Sequence, residues 1–257
     1  MELYTTESGK YRIVYLSAAT FPGALKVIRD AFCQDEPVSI GSEVNKNPVA
    51  AEELLELCAD AALDGVSLVA IDTGNGEVVA VAFNKLQVPT TSTSEKSFFE
   101  IFAKERCTQA SSRSLIQFMA NVDERCNLFE KYGADCSLEI MFLATLRNHR
   151  KQKLATLLCK FSYDIAKKLR DGPVFKITVE DLGPIYSNMK EREPIKIPPK
   201  ICQAIWTGKG SQKIGKTLGF KVHLTVSYDE FEHNGKTYAE RLRNESEFCE
   251  LVAKIVE

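Results

Sequence analysis

Leu138-Glu139-Ile140-Met141-Phe142-Leu143-Ala144-Thr145-Leu146, running directly into Arg147-Asn148-His149-Arg150-Lys151-Gln152-Lys153-Leu154-Ala155, organises the reading of this chain. The first nine residues are nearly continuous apolar sequence, the pattern of a central strand covered on both faces. Beyond the cations, Leu154, Leu157, Leu158, Phe161, Ile165 and Leu169 recur as one stripe, which predicts a long helix. Arg147, Arg150, Lys151 and Lys153 therefore sit at a strand-to-helix junction. The first-turn N–H groups of a helix are unpaired and its dipole favours negative charge there, so such a junction suits a pyrophosphate. A solvated basic loop accounts for the same charge run equally well.

Toward the N-terminus, Tyr11 to Leu16 reads as a first strand. Leu25, Ile28 and Phe32 follow at helical spacing, predicting a helix from Pro22 to Cys33 that closes on Asp35-Glu36-Pro37. Ala50 to Leu63 predicts a second helix. Val66 to Ile71 and Val78 to Val88 read as strands joined at Thr73-Gly74-Asn75-Gly76, whose Asn-Gly is a hairpin signal. A Thr/Ser-rich loop opens the stretch 90–113, and Phe98, Phe99, Ile101 and Phe102 suggest a covering helix after it; another is expected from Ser114 to Asn127.

Toward the C-terminus, five prolines (173, 184, 194, 198 and 199) interrupt the stretch 171–200. It reads as a surface insertion, and its length favours a lid. Ile201 to Trp206 reads as a strand, followed by a short helix through Thr217 with Gly219 as its cap. Phe220 to Phe231 and Phe248 to Val256 complete the strands, with a turn at Asn234-Gly235.

The chain has 257 residues, 44% of them apolar and 26% charged, an ordinary balance for a soluble globular protein. A net charge of −2 gives no electrostatic case for nucleic acid or an anionic membrane surface. The first residues lack the charged and apolar regions of a signal peptide, and no apolar run reaches membrane-spanning length. Eight cysteines without a Cys-x-x-Cys spacing, and only three histidines, argue against zinc or any other metal. The cysteines read as small core residues or free thiols of a reducing compartment, so a cytoplasmic location is expected; a monomer is expected as well.

Arg150-Lys151-Gln152-Lys153-Leu154-Ala155 is similar to the Arg/Gln-x-x-Gly-x-Gly/Ala motif of the GNAT superfamily of N-acetyltransferases, with Lys153 where that motif has glycine. Asp35-Glu36-Pro37, Asn127-Leu128-Phe129-Glu130-Lys131-Tyr132 and the Thr207 to Phe220 segment resemble the insect arylalkylamine N-acetyltransferase (dopamine N-acetyltransferase-like) family. The resemblance covers nearly the whole chain apart from 171–200.

It implies a single α/β domain over 1–257, with a mixed, mostly antiparallel sheet flanked by helices. The sheet would be splayed between the strand ending near Leu146 and that ending near Trp206, with acyl-CoA in the opening. It also implies an acyl-CoA-dependent N-acetyltransferase acting on a small primary amine, with acetyl-CoA as cosubstrate and direct transfer in a ternary complex. Glu36 would be the general base, and Thr207 and Ser211 the working hydroxyls. Leu143, Ala144 and Thr145 would bind the acetyl group through their backbone. Arg150, Lys151, Gln152, Lys153, Leu154 and Ala155 would hold the pyrophosphate, where Lys153 either supplies charge or blocks close approach. Damage at that glycine position supports a second reading, a non-catalytic GNAT-fold binding protein with weakened CoA binding.

Gly210-Ser211-Gln212-Lys213-Ile214-Gly215-Lys216-Thr217 matches the Walker A pattern letter for letter. That motif needs a long following helix and further βα units to supply a magnesium ligand. Leu218-Gly219-Phe220 ends the helix at once and little chain remains, so nucleotide binding is rejected.

Overall fold

The computed structural model describes residues 1–90, 97–193, 196–243 and 246–257. In chain order the strands are β1 (Glu2–Thr5), β2 (Tyr11–Tyr15), β3 (Leu68–Asp72), β4 (Val78–Gln87), β5 (Ser137–Thr145), β6 (Ile201–Trp206), β7 (Lys221–Ser227), β8 (Glu232–His233), β9 (Lys236–Thr237) and β10 (Phe248–Ile255). The helices are α1 (Phe21–Val27), α2 (Cys33–Asp35), α3 (Pro37–Gly41), α4 (Pro48–Ala62), α5 (Phe98–Glu105), α6 (Ala110–Arg125), α7 (Leu128–Tyr132), α8 (Leu154–Lys168), α9 (Lys209–Leu218) and α10 (Tyr238–Leu242).

Eight strands form one sheet in the order β1-β2-β3-β4-β5-β6-β10-β7. Every neighbouring pair is antiparallel except β5 and β6, which run parallel. The mixed, mostly antiparallel sheet therefore stands as expected. Helices cover both faces, with the cores of α1, α4 and α6 on one side and that of α8 on the other. The polar tetrapeptide Glu2–Thr5 pairs ahead of Tyr11–Tyr15, so the strand read as first is the second.

Two irregularities position the cleft. Parallel pairing of β5 with β6 stops at Glu139↔Gln203, while β5 continues for six more residues to Thr145. Against β4, Phe83 faces Phe142 and Asn84 faces Ile140, which leaves Met141 as an extra residue in β5. Such a bulge bends a strand and sharpens its twist. It also reverses the alternation of side chains: Leu138 and Ile140 face the α8 side, but Phe142 and Ala144 face the α1 and α6 side. The second irregularity joins α1 to α2 through a wide turn over Ile28–Phe32, in which the Cys33 N–H reaches back to Ile28 O. Wide turns of this kind change the direction in which the next residues project, here Asp35 and Glu36.

The stretch 171–200 departs from the expected surface lid. Ile177, Val179 and Leu182 are buried, Phe175 stacks on Tyr15 with centroids 5.4 Å apart, and Tyr186 meets Phe21 edge-on. Arg192 lies 2.6 Å from Asp60 and 2.8 Å from Asp64, and Lys85 lies 2.9 Å from the same Asp60. Burying such ions demands paired partners, and the two carboxylates with two cations supply them. The segment is thus riveted to α4 and β2, away from the cleft. Pro194, and residues 91–96 of the Thr/Ser-rich loop, lie outside the described residues.

Glu139 stands opposite Lys85 on β4 and accepts from Gln87 Nε2 at 2.8 Å. Burial pushes its carboxyl up from an ordinary 4.5 to about 7, with Gln87 and Lys85 opposing the shift. The folded chain therefore holds this proton where the unfolded chain has lost it. Stability is expected to fall as pH rises from 4.5 through 7. Glu139→Gln should reduce that slope in chemical denaturation measured across the range, and adding Asp123→Asn, whose buried carboxyl Glu139 pushes up further, should reduce it again; an unchanged slope would refute the assignment.

Candidate active site

Where β5 and β6 part, the structure encloses a cavity of about 420 Å³. One wall is the far half of β5, including Leu143, Ala144 and Thr145; the other is the end of β6 with Trp206, Thr207 and Gly208. Residues 140–145 have no strand partner on the β6 side, so backbone groups on that edge face the opening. Phe32, Asp35, Glu36 and Val38 close it from the N-terminal segment, and Leu115, Phe118 and Met119 of α6 close it from behind.

Asp35-Glu36-Pro37, read as the close of the first helix, also opens the next: Glu36 is the N-cap of α3, with Pro37 in its first turn. Its two carboxylate oxygens accept from Val38 N–H at 2.9 Å and Ser39 N–H at 2.6 Å. Desolvation raises the proton affinity of this carboxyl, while bonding from the Val38 N–H, the Thr207 hydroxyl and the Ser39 N–H opposes it. The net direction is upward, toward the range that suits a general base. Thr207 thus stands beside Glu36.

Ser211 lines the same cavity, in the first turn of α9. Its hydroxyl donates to Gly208 O at 2.9 Å and accepts from Gly208 N–H at 3.2 Å. Gly210 to Thr217 lies inside α9, not in a phosphate loop.

At the mouth, Arg150 and Ala155 line the cavity, while Lys151, Gln152 and Lys153 are exposed. Arg150 donates through Nε to Thr145 O at 3.1 Å and through a terminal nitrogen to Asp35 at 2.6 Å. Arg147 also donates to Asp35, so one carboxylate ties the end of α2 to the basic loop. The Arg147 and Arg150 guanidiniums, working against desolvation, hold the Asp35 carboxyl below the usual carboxylate range. Lys153, in the glycine position, is the N-cap of α8 with φ +61° and makes no side-chain cap. Lys151 also has positive φ, at +64°. The backbone thus takes the left-handed shape that a glycine would allow, and the Lys153 side chain points to solvent without plugging the cleft.

Several cavity residues gave no signal as such in the sequence. Asp35 was legible only as a neighbour of Glu36, since its partners are more than a hundred residues away. Leu115, Phe118 and Met119 belong to a helical stripe indistinguishable from ordinary core. None of the cysteines forms a disulfide among the described residues, and burial pushes Cys33, three residues before Glu36, up to about 12. No group of metal-ligating side chains occurs among the described residues, and no helix there is long and apolar enough to cross a membrane.

The sequence matches no protein-family model and no curated protein. Solved structures do share its architecture. Arylalkylamine N-acetyltransferase 2 from Aedes aegypti superposes with a TM-score of 0.71 at 18% identity, over 96% of this chain and 99% of that one. The mosquito arylalkylamine N-acetyltransferase like 5b gives 0.72 at 14% identity, over 95% and 99%. Drosophila melanogaster polyamine N-acetyltransferase, which catalyses formation of N-acetylagmatine, gives 0.68 at 13%, over 95% and 99%. At these identities the likeness establishes the fold: the chain is a single α/β domain of the GNAT type.

Proposed function

We propose that this chain is an acyl-CoA-dependent N-acetyltransferase acting on a small primary amine by direct transfer, with Glu36 as general base. The observation that carries this reading is convergence. Glu36, Thr207, Ser211, the open edge at Leu143 to Thr145, Arg150 of the basic loop and Ala155 of the first turn of α8 all line one cavity between the parted strands. An alkylamine is mostly protonated at neutral pH and must lose a proton before its lone pair can attack a thioester. Glu36 accepts that proton, directly or through a water, on the lone pairs its backbone partners leave free.

The amine nitrogen then forms the C–N bond and the C–S bond breaks. The backbone edge at Leu143 to Thr145 steadies the developing oxyanion. The amine's second proton ends on the departing thiolate, relayed by the Ser211 hydroxyl once that hydroxyl releases Gly208 O. For the cosubstrate's pyrophosphate, the first turn of α8 offers unpaired N–H donors, with Lys151 and Lys153 exposed beside them.

The remainder of the lining is apolar, including Phe32, Leu115, Phe118, Met119, Phe142 and Ile205. Beyond Asp35 and Glu36 no further carboxylate lines the cavity among the described residues, and Asp35 is already paired. This favours an arylalkylamine, with one cation and an apolar body, over a polyamine. The working location of such an enzyme is the cytoplasm, as a monomer.

Calorimetric titration of acetyl-CoA into the natural protein and Lys153→Gly tests the reading. Micromolar binding by the natural sequence, followed by acetylation in an amine screen, is expected. No binding by either protein would overturn it. Binding only by Lys153→Gly would favour the non-catalytic reading. Independently, a non-glycine residue in the left-handed region costs about 1–2 kcal/mol. Lys153→Gly should therefore gain about 1 kcal/mol in stability after its own entropy cost, read as a raised melting temperature.

A further inference from the structure

The carbonyl of Thr207 carries two side-chain hydrogen bonds from residues outside the transferase motifs. Tyr228 Oη donates to it at 2.7 Å and Ser246 Oγ at 2.9 Å. A carbonyl oxygen has two lone pairs, so this one is saturated. Both donors are buried, Tyr228 fully and Ser246 at 3% exposure. Thr207 itself follows the last residue of β6, at the start of an irregular turn into α9. Its backbone has no strand register to fix it, and the two anchors take that place.

The opposite partner is mounted on the same support. Tyr228 stacks with Phe118 at 6.2 Å and with Tyr238 at 6.5 Å, and Phe118 also stacks on Tyr238 at 6.2 Å. Tyr238 shares a 2.7 Å hydrogen bond with Ser114 of α6. Gly41, the last residue of α3, lies so close to the Tyr238 ring that a Cβ there would overlap it. Glu36 caps the other end of that short helix. One aromatic slab therefore fixes the backbone of Thr207 and the helix that begins at Glu36.

Resting on the transferase reading above, we infer that Tyr228 and Ser246 are positioning residues that hold the Thr207 hydroxyl against the Glu36 carboxylate. The Thr207 hydroxyl favours the ionised form of Glu36, so loosening Thr207 lets the carboxyl keep its proton to higher pH. The other titratable groups that feel Glu36 are Cys33, Tyr228, Tyr238 and Cys249. Burial pushes each upward, to about 12 for Cys33, Tyr238 and Cys249. All four are neutral through the working range, and the adjacent Asp35 is held ionised by its arginines. A carboxyl titration raised above the ordinary value at this site therefore belongs to Glu36.

The test combines kinetics with carbon-13 NMR of labelled glutamate carboxyls, the Glu36 signal being identified by its loss in Glu36→Gln. Tyr228→Phe and Ser246→Ala each remove one O–H and keep the packing. Both should raise the pH at which Glu36 titrates and lower kcat about tenfold, as small misplacements of reacting groups do, with KM for acyl-CoA unchanged. Tyr163→Phe, which removes an equivalent O–H bonded to Ile255 O, should change neither. A natural enzyme that turns over, with variants that keep its kcat and its Glu36 titration, would overturn the inference alone. Absence of turnover by the natural protein across the amine screen would instead remove the transferase reading, and the inference with it.

Discussion

Glu36→Gln is expected to lower kcat by about a hundredfold or more, the usual contribution of a positioned general base, while leaving acetyl-CoA affinity nearly intact. The amide matches the carboxylate in shape but cannot take a proton. The substitution also touches structure, because Glu36 accepts from both Val38 and Ser39 N–H at the start of α3. A glutamine has one acceptor oxygen, so one of those donors loses its partner, at a cost of about 1 kcal/mol. In a chain of this size that corresponds to a fall of about 2–4 °C in melting temperature. The two effects separate cleanly by magnitude: rate collapses while stability slips. Parallel loss of rate and acetyl-CoA affinity, or an undiminished rate, would remove Glu36 from the role of base.

Gly215→Ala should produce the largest loss of stability. Gly215 lies within α9, where alanine is intrinsically the better helix former by about 1 kcal/mol. Local propensity therefore predicts a gain. Packing predicts the reverse, because a Cβ at 215 would overlap the indole nitrogen of Trp206. Trp206 is 2% exposed and its ring cannot swing aside without displacing its neighbours. Overpacking at such sites costs about 1–3 kcal/mol, and a direct overlap with a rigid ring belongs at the upper end, so the clash wins. Trp206 also lines the cavity, so the KM for acyl-CoA should rise as well. Trp206→Phe removes the offending nitrogen, which has no hydrogen-bond partner among the described residues, and should rescue much of the loss in the double variant. Higher stability of Gly215→Ala in thermal denaturation would defeat the packing argument.

The sequence revealed long, periodic features best. Leu138 to Leu146 read as the central strand and the stripe from Leu154 as its following helix, and both stand in β5 and α8. Composition misled at 171–200: its prolines and charges resemble a solvated loop, yet Ile177, Val179 and Leu182 are buried. Three apolar residues in so irregular a stretch carry no period, so burial there has no one-dimensional signature. For the cleft, motifs brought Glu36, Thr207 and Ser211 to one cavity across nearly two hundred residues. They could not reveal that Asp35 engages both Arg147 and Arg150. Nor could they reveal that Tyr228 and Ser246 converge on a single carbonyl. Those are contacts between distant segments, and neither partner is unusual where it stands.

Met141 is the surplus residue that puts β5 out of step with β4. Remove one residue there and Phe142, Leu143, Ala144 and Thr145 each change faces, carrying a phenylalanine from one layer to the other. The opening is thus encoded in a count of residues more than in the identity of any one of them. A scan of point substitutions along β5 would report a tolerant hydrophobic strand and never see it. Insertions and deletions are the changes to which this cleft is most vulnerable, and a length-altering variant at 141 is one that a chain depending on the cavity could not keep.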